Sequence, residues 1–188
     1  MGSGLGLYFV WNKGSIMANT YTLITSATVD SNGSSYIEFT SIPQTYTDLQ
    51  LNYSLRDDSA IAINDGTLVV NSSNSSYARN YIFSYSGGTF ADNQANNNYI
   101  YANTSVSRSS TFTSGSLYIP SYTSNTRKSF LLDNVTEDDS NSRFGLLLLA
   151  GAWNDTPAPI TSIKFTPYGS GIKYVQHSSF YLYGIKNS

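Results

Sequence analysis

Leu49-Gln50-Leu51-Asn52-Tyr53-Ser54-Leu55-Arg56 alternates apolar and polar side chains at every step. In an extended strand successive side chains point to opposite faces. A strict period of two therefore puts Leu49, Leu51, Tyr53 and Leu55 on one buried face and leaves Gln50, Asn52, Ser54 and Arg56 on the other. A helix would scatter the same residues around its circumference. This is the cleanest run of its kind in the chain, and the segments on either side read the same way.

Towards the N-terminus, Tyr36, Glu38 and Thr40 alternate with Ile37, Phe39 and Ser41, a half-buried strand that Pro43 stops. Before it, Thr20 to Val29 is β-rich and ends at Asp30-Ser31-Asn32-Gly33, where Asn-Gly predicts a hairpin turn. Towards the C-terminus, Asn64-Asp65-Gly66 reads as a turn before a short strand to Val70. Tyr77 to Tyr85 is another strand, ending at Gly87-Gly88, and the polar, Asn-rich stretch Thr89 to Asn98 reads as an exposed loop. Tyr99-Ile100-Tyr101 opens a strand with an irregular continuation to Thr113. Ser116 to Ile119 and Ser129 to Val135 are strands around a turn at Tyr122 to Asn125. Phe144 to Trp153 contains Leu146-Leu147-Leu148-Leu149, a continuous apolar run expected to be buried on both faces. Thr161 to Pro167 and Ser178 to Ile185 close the series.

No window repeats apolar residues at helical spacing, and no fixed-period repeat suggests a solenoid or propeller. The expected fold is all-β: a single antiparallel β-sandwich of jelly-roll type spanning residues 17–188, with residues 1–16 as an N-terminal extension or arm. Phe39, Leu51, Leu147, Leu149, Ile163 and Leu182 are expected in its core. Composition agrees. Only 12% of the residues are charged and 14% are aromatic, with 16 Tyr and 9 Phe, whereas disordered chains combine high charge with few aromatics. Thr, Tyr, Phe, Val and Ile suit pleated surfaces, and Ser, Asn and Gly suit turns.

A net charge of −2 without any basic block argues against a nucleic-acid partner. The apolar stretch Gly4 to Trp11 is too short to span a bilayer and has no basic region before it, so neither a membrane anchor nor a signal peptide is expected. Met17 followed by Ala18-Asn19-Thr20-Tyr21 reads like a fresh start. The absence of cysteine excludes disulfides and thiolate metal sites and fits assembly in a reducing cytoplasm.

Catalytic chemistry finds little to stand on. His177 is the single histidine, in the polar setting Val175-Gln176-His177-Ser178-Ser179, and reads as a surface or turn residue. Neither a Gly-x-Ser-x-Gly elbow nor a phosphate-binding loop is present. The two glutamates, Glu38 and Glu137, do not form a glycosidase pair on this reading. Glu38 points outward from its strand, and Glu137-Asp138-Asp139 is a cluster of solvated turn charges. That cluster and Asp57-Asp58 could interest calcium, but neither has EF-hand spacing. No catalytic, cofactor-binding or metal residues are assigned, and no cofactor is expected. Seven Asn-x-Ser/Thr stretches, at Asn32, Asn52, Asn71, Asn74, Asn103, Asn134 and Asn154, are what a chain rich in these residues shows by chance. Tyr85, Tyr99, Tyr101 and Tyr122 read either as sugar-stacking surface rings or as residues covering a core or a subunit seam.

From Met17 onward the sequence resembles a family of small structural virion proteins, of decoration, cement or fibre type, in marine and freshwater tailed phages, cyanophages among them. The likeness rests on Ala18-Asn19-Thr20-Tyr21-Thr22-Leu23-Ile24, Ile37-Glu38-Phe39-Thr40-Ser41-Ile42-Pro43 and Tyr46-Thr47-Asp48-Leu49. It continues in Tyr118-Ile119-Pro120-Ser121-Tyr122, Lys128-Ser129-Phe130 and Ile160-Thr161-Ser162-Ile163-Lys164-Phe165. It ends in Tyr181-Leu182-Tyr183-Gly184-Ile185-Lys186-Asn187-Ser188, the most distinctive piece. The resemblance implies a non-enzymatic protein assembled in the host bacterial cytoplasm and placed on the outer capsid surface. There it would act as a capsid decoration or cement protein stabilising capsomer junctions. Its implied partners are the major capsid protein and itself, as a homotrimer. The alternative is a receptor- or glycan-binding module of a tail or head fibre, with host-surface glycans as partners. The chain has no repetitive or coiled-coil shaft, which favours the first.

Overall fold

The computed structural model describes residues 20–61, 63–73, 76–85, 88–95, 99–104, 107–136, 145–153, 155 and 157–186. Along them run β1 (Tyr21–Thr28), β2 (Ile37–Phe39), β3 (Asp48–Leu55), β4 (Ile63–Val70), β5 (Tyr77–Tyr85) and β6 (Gly88–Ala95). These are followed by β7 (Tyr99–Asn103), β8 (Thr113–Ile119), β9 (Lys128–Thr136), β10 (Gly145–Trp153), β11 (Ile163–Pro167) and β12 (Ser179–Ile185). All the ladders between them are antiparallel. The expected extension, residues 1–16, lies outside the described residues.

The strands form two sheets, β1-β12-β3-β8-β9-β10-β5-β6 and β2-β11-β4-β7. Within them β1-β12-β3-β8 faces β2-β11-β4-β7, which is jelly-roll connectivity: successive strands alternate between the two sheets except at β4 and β7, which pair within the second, and the C-terminal strands return between the N-terminal ones. Two insertions modify it. The β5-β6 hairpin lies between β4 and β7, and the β9-β10 pair between β8 and β11. Both add to the β8 side of the first sheet, doubling it from four strands to eight.

The period-two run behaves as its pattern requires. Leu49, Leu51, Tyr53 and Leu55 of β3 are all buried, and Phe39, Leu147, Leu149, Ile163 and Leu182 join them in one core. At its centre the rings of Phe165 and Phe180 lie 5.2 Å apart, with Tyr174 edge-on to Phe180 at 5.7 Å. Packing this many rings demands close backbone approach. Gly115 stands opposite Tyr53 in the β3–β8 ladder, under its ring, where a Cβ would also come within 2.6 Å of the Asp133 carbonyl oxygen.

Four local expectations change. The Asn32-Gly33 turn forms, with the Gly33 N–H donating to the Asp30 carbonyl (3.2 Å) and φ of +69° at Gly33, but it does not close a hairpin. β1 pairs with β12 and β2 with β11, so the turn carries the chain from one sheet to the other. Asn64-Asp65-Gly66 lies inside β4 rather than in a turn. The Asn64 amide donates to Asp57 Oδ2 (2.8 Å) and to the Tyr168 carbonyl (2.9 Å), so a buried turn-forming residue is satisfied within a strand. Of Thr89 to Asn98, expected as a loop, the part to Ala95 belongs to β6, an edge strand held by its ladder to β5, and residues 96–98 lie outside the described residues. Finally, the Leu146–Leu149 run is buried on one face only: Leu147 and Leu149 are 0% and 1% exposed, Leu146 and Leu148 40% and 43%.

Candidate functional site

Reading side chains across the ladders gives the outer face of the eight-stranded sheet. One cross-sheet row runs Leu23–Tyr183–Gln50–Tyr118–Leu131–Ala150. The next runs Ser26–Tyr181–Asn52–Ser116–Asp133–Leu148–Ile82–Ala91. Each row changes chemistry part-way. Over β1, β12, β3 and β8 the face is aromatic and hydroxyl- or amide-rich. Over β9, β10 and β5 it is mainly aliphatic, interrupted by Asp133 on β9 and Asn80 on β5.

In the first half Tyr21, Leu23 and Tyr181 are exposed. The Tyr118 hydroxyl donates to Asp48 Oδ2 (2.8 Å) while the Ser121 N–H donates to Asp48 Oδ1 (2.8 Å). The bond to the Asp48 carboxylate, together with burial, raises the Tyr118 phenol above its ordinary value, because ionising it would put two negative charges side by side. The Gln50 amide donates to Asn52 Oδ1 (3.1 Å), fixing both on this face. The result is a flat surface of rings and neutral polar groups.

In the second half Ile82, Leu131, Val135, Leu146 and Leu148 are all exposed. Ile82, Ala91, Leu131, Leu148 and Ala150 line a shallow groove of about 400 Å³. Asp133 borders it and accepts from Ser116 Oγ (2.5 Å).

The residues weighed for chemistry are dispersed. His177 is exposed in a turn with φ of +75°, its N–H donating to the Val29 carbonyl (3.0 Å). Glu38 is exposed on β2. Glu137-Asp138-Asp139 lies outside the described residues. Asp57 is buried, with Oδ1 accepting from the Ser59 N–H (3.0 Å) and Oδ2 from Asn64; burial raises its carboxyl above the ordinary value against those stabilising bonds. Its neighbour Asp58 accepts from the Lys173 N–H (2.8 Å). Both carboxylates thus serve the protein's own donors. Among the described residues no group of three His, Cys, Asp or Glu side chains gathers as metal ligands do.

Of the Asn-x-Ser/Thr positions, Asn134 is buried, and Asn71 is engaged at both ends. The Asn71 amide donates to the Pro159 carbonyl (2.8 Å), and its Oδ1 accepts from the N–H groups of Thr161 (2.8 Å) and Ser162 (3.1 Å). Asn74 and Asn154 lie outside the described residues. Tyr122, read either as a sugar-stacking surface ring or as a residue covering a core or seam, is fully buried and its hydroxyl donates to the Pro43 carbonyl. The side chains of Tyr85, Tyr99 and Tyr101 lie outside the described set.

The two-part outer face was not singled out from sequence. In its aliphatic half the sequence signal is that Tyr81-Ile82-Phe83, Phe130-Leu131-Leu132 and Leu146–Leu149 place apolar residues at both parities of a strand. No family model, curated protein or solved structure matches this chain.

Proposed function

We propose that the chain is a non-enzymatic structural protein of a tailed-phage virion, a decoration or cement subunit on the outer capsid surface. In this reading it stabilises capsomer junctions by binding the major capsid protein and further copies of itself as a homotrimer. The observation that carries the reading is the flat Tyr21–Tyr181–Tyr118 half of the outer face, which combines exposed rings with neutral hydrogen-bonding groups. Tyrosine is enriched where proteins meet, and exposed apolar surface of this kind marks interaction sites. With 12% charged residues, identical faces meet with little like-charge repulsion, and rotational symmetry closes such contacts without fibre growth. The capsid location and three-fold closure come from the family resemblance, an argument by analogy.

Electron microscopy of virions with this chain fitted to the density tests the proposal. The expected result is three-fold density at capsomer junctions in hundreds of copies. Density confined to a fibre, in tens of copies or fewer, would replace it with the second reading, a glycan-binding module. That reading is favoured by exposed Tyr181 lying one strand from the Gln50–Asn52 amides, an arrangement suited to stacking on a sugar ring and bonding its hydroxyls.

A further inference from the structure

The smaller sheet carries a polar groove on its outer face. Glu38 of β2, Lys164 and Thr166 of β11, and Thr67 and Val69 of β4 occupy the strand positions that point away from the core. With Ser72 they line a groove of about 340 Å³. We propose that this groove binds a neutral sugar, with Glu38 and Lys164 engaging adjacent hydroxyls.

Three observations carry the proposal. The first is that opposite charges are held apart. Glu38 and Lys164 stand directly across the β2–β11 ladder, where unlike charges ordinarily pair. Instead Lys164 Nζ sits over the Tyr36 ring, 4.1 Å from its centroid, and among the described residues the carboxylate and the ammonium form no ion pair. Both keep their hydrogen-bonding capacity for a third group. The second is the pattern of donors and acceptors. A carboxylate only accepts, an ammonium only donates, and the hydroxyls of Thr67, Thr166 and Ser72 do either. Thr67 Oγ1 makes only a long contact to the Thr166 carbonyl, at 3.5 Å. The two charges cancel, so the groove favours neither an anion nor a cation. Its complement is an uncharged molecule whose neighbouring groups each donate and accept, which describes vicinal hydroxyls. The third is shape. Val69 lines the groove at 8% exposure, an apolar floor for the C–H face of a sugar ring. At one end Asn71 and Ser72 have φ of +49° and +62°, a region that residues with a Cβ adopt only where their surroundings hold them. The Asn71 side chain supplies that hold through its bonds to Pro159, Thr161 and Ser162, which fixes Ser72 at the groove.

The groove lies on the other sheet from Tyr181, and the inference is independent of any role in a virion, so the two surfaces can fail separately. Saturation-transfer NMR on the full chain with glucose, galactose, mannose and N-acetylglucosamine tests it. At least one of these sugars is expected to bind in the millimolar range. Glu38→Ala and Lys164→Met are each expected to weaken that binding by about tenfold or more with the melting temperature unchanged, since each removes a charged hydrogen-bonding partner. Tyr36→Leu is expected to weaken it as well, by releasing Lys164 onto Glu38, whereas Tyr36→Phe keeps the ring face and is expected to keep the binding. Tyr181→Ser is expected to leave it unchanged. Several results would each overturn the proposal: no transfer to any of the four sugars, parent-like binding in Glu38→Ala, Lys164→Met or Tyr36→Leu, or tighter binding of glucuronate or glycine than of every neutral sugar. Loss of binding in Tyr181→Ser would also overturn it, by placing the sugar on the larger sheet.

Discussion

The two halves of the large sheet follow one backbone pattern and diverge in what they show to solvent. Over β1, β12, β3 and β8, inner positions such as Leu51, Leu117 and Leu182 are aliphatic or aromatic, and outer positions such as Gln50, Asn52, Ser114 and Tyr181 carry amides, hydroxyls or phenols. Over β9, β10 and β5 the inner positions mix apolar side chains such as Leu132, Leu147 and Leu149 with buried Lys128, Asn134, Thr136 and Arg79, while Leu131, Leu146, Leu148 and Ile82 face outward. The second sheet meets both halves: β7 touches β8 and β9, and the Val70 N–H of β4 donates to the Tyr77 hydroxyl of β5. The lesson is that alternation in a strand fixes which residues can share a face and says nothing about whether both faces are apolar.

The comparison breaks most readily at β10, where adjacent leucines face opposite ways. Leu147→Ala is expected to cost about 2–5 kcal/mol in chemical denaturation, because it removes most of a fully buried side chain from the core. A loss below about half a kcal/mol would mean that β10 is out of register and the two halves are misassigned. Next in size is Gly115→Ala in the jelly-roll half. The new methyl meets both the Tyr53 ring and the Asp133 carbonyl, so a penalty of about 1–3 kcal/mol is expected, read as a lowered melting temperature. Tyr53→Leu should relieve part of it if the ring is the obstacle, and a neutral Gly115→Ala would show that the β3–β8 ladder is looser than its geometry.

A third test uses pH. Burial raises the phenols of Tyr53 and Tyr174 well above 10 and pushes Tyr77 up to about 12, its hydroxyl accepting from the Val70 N–H (2.8 Å). The folded state keeps these protons while the unfolded state releases them above about pH 10. Their contribution is therefore fully present below pH 10 and is lost as pH rises through the alkaline range. Each group costs about 1.4 kcal/mol per unit until its folded value is reached. Phenolate absorbance followed against pH should rise in two stages, the second coinciding with loss of β-sheet signal. A single smooth rise without unfolding would place the core tyrosines in contact with water.

Legibility followed the same physics. β3 could be read because one of its faces is apolar and the other polar, which makes the period visible. β6 could not: Thr89, Phe90, Ala91, Asp92 and Asn93 are all exposed, so an edge strand open on both sides shows no burial period and looks like a loop. β10 was legible as a strand but not by face, since Leu146–Leu149 is identical at both parities. The missed start of β4 has another cause. Asn64 and Gly66 are turn formers by type, and only the partners Asp57 and Ile100, brought in by the fold, explain their place in a strand. The interaction face was legible only as a surplus of tyrosine. Nothing in the local sequence separates Tyr122, sealed against the Pro43 carbonyl, from Tyr181, open to solvent.

The smallest expected effect on stability is the one that sharpens the comparison furthest. Tyr181→Ser and Tyr21→Ser remove exposed rings from the aromatic half, and substitutions at such sites usually leave stability within about 0.5 kcal/mol. Denaturation curves should therefore overlay the parent's. Association should not: if this half carries the subunit contacts, multi-angle light scattering should show the parent as a closed oligomer at tens of micromolar and the double variant shifted towards monomer. Leu146→Ser/Leu148→Ser is expected to leave that oligomer intact, because these side chains lie on β10, with three strands between it and β12, which carries Tyr181. The reverse pattern, with the serine pair on β10 dissolving the oligomer and the tyrosine variants sparing it, would exchange the roles of the two halves. A parent that stays monomeric would remove self-association in solution and leave the aromatic half to contacts made only on a larger assembly.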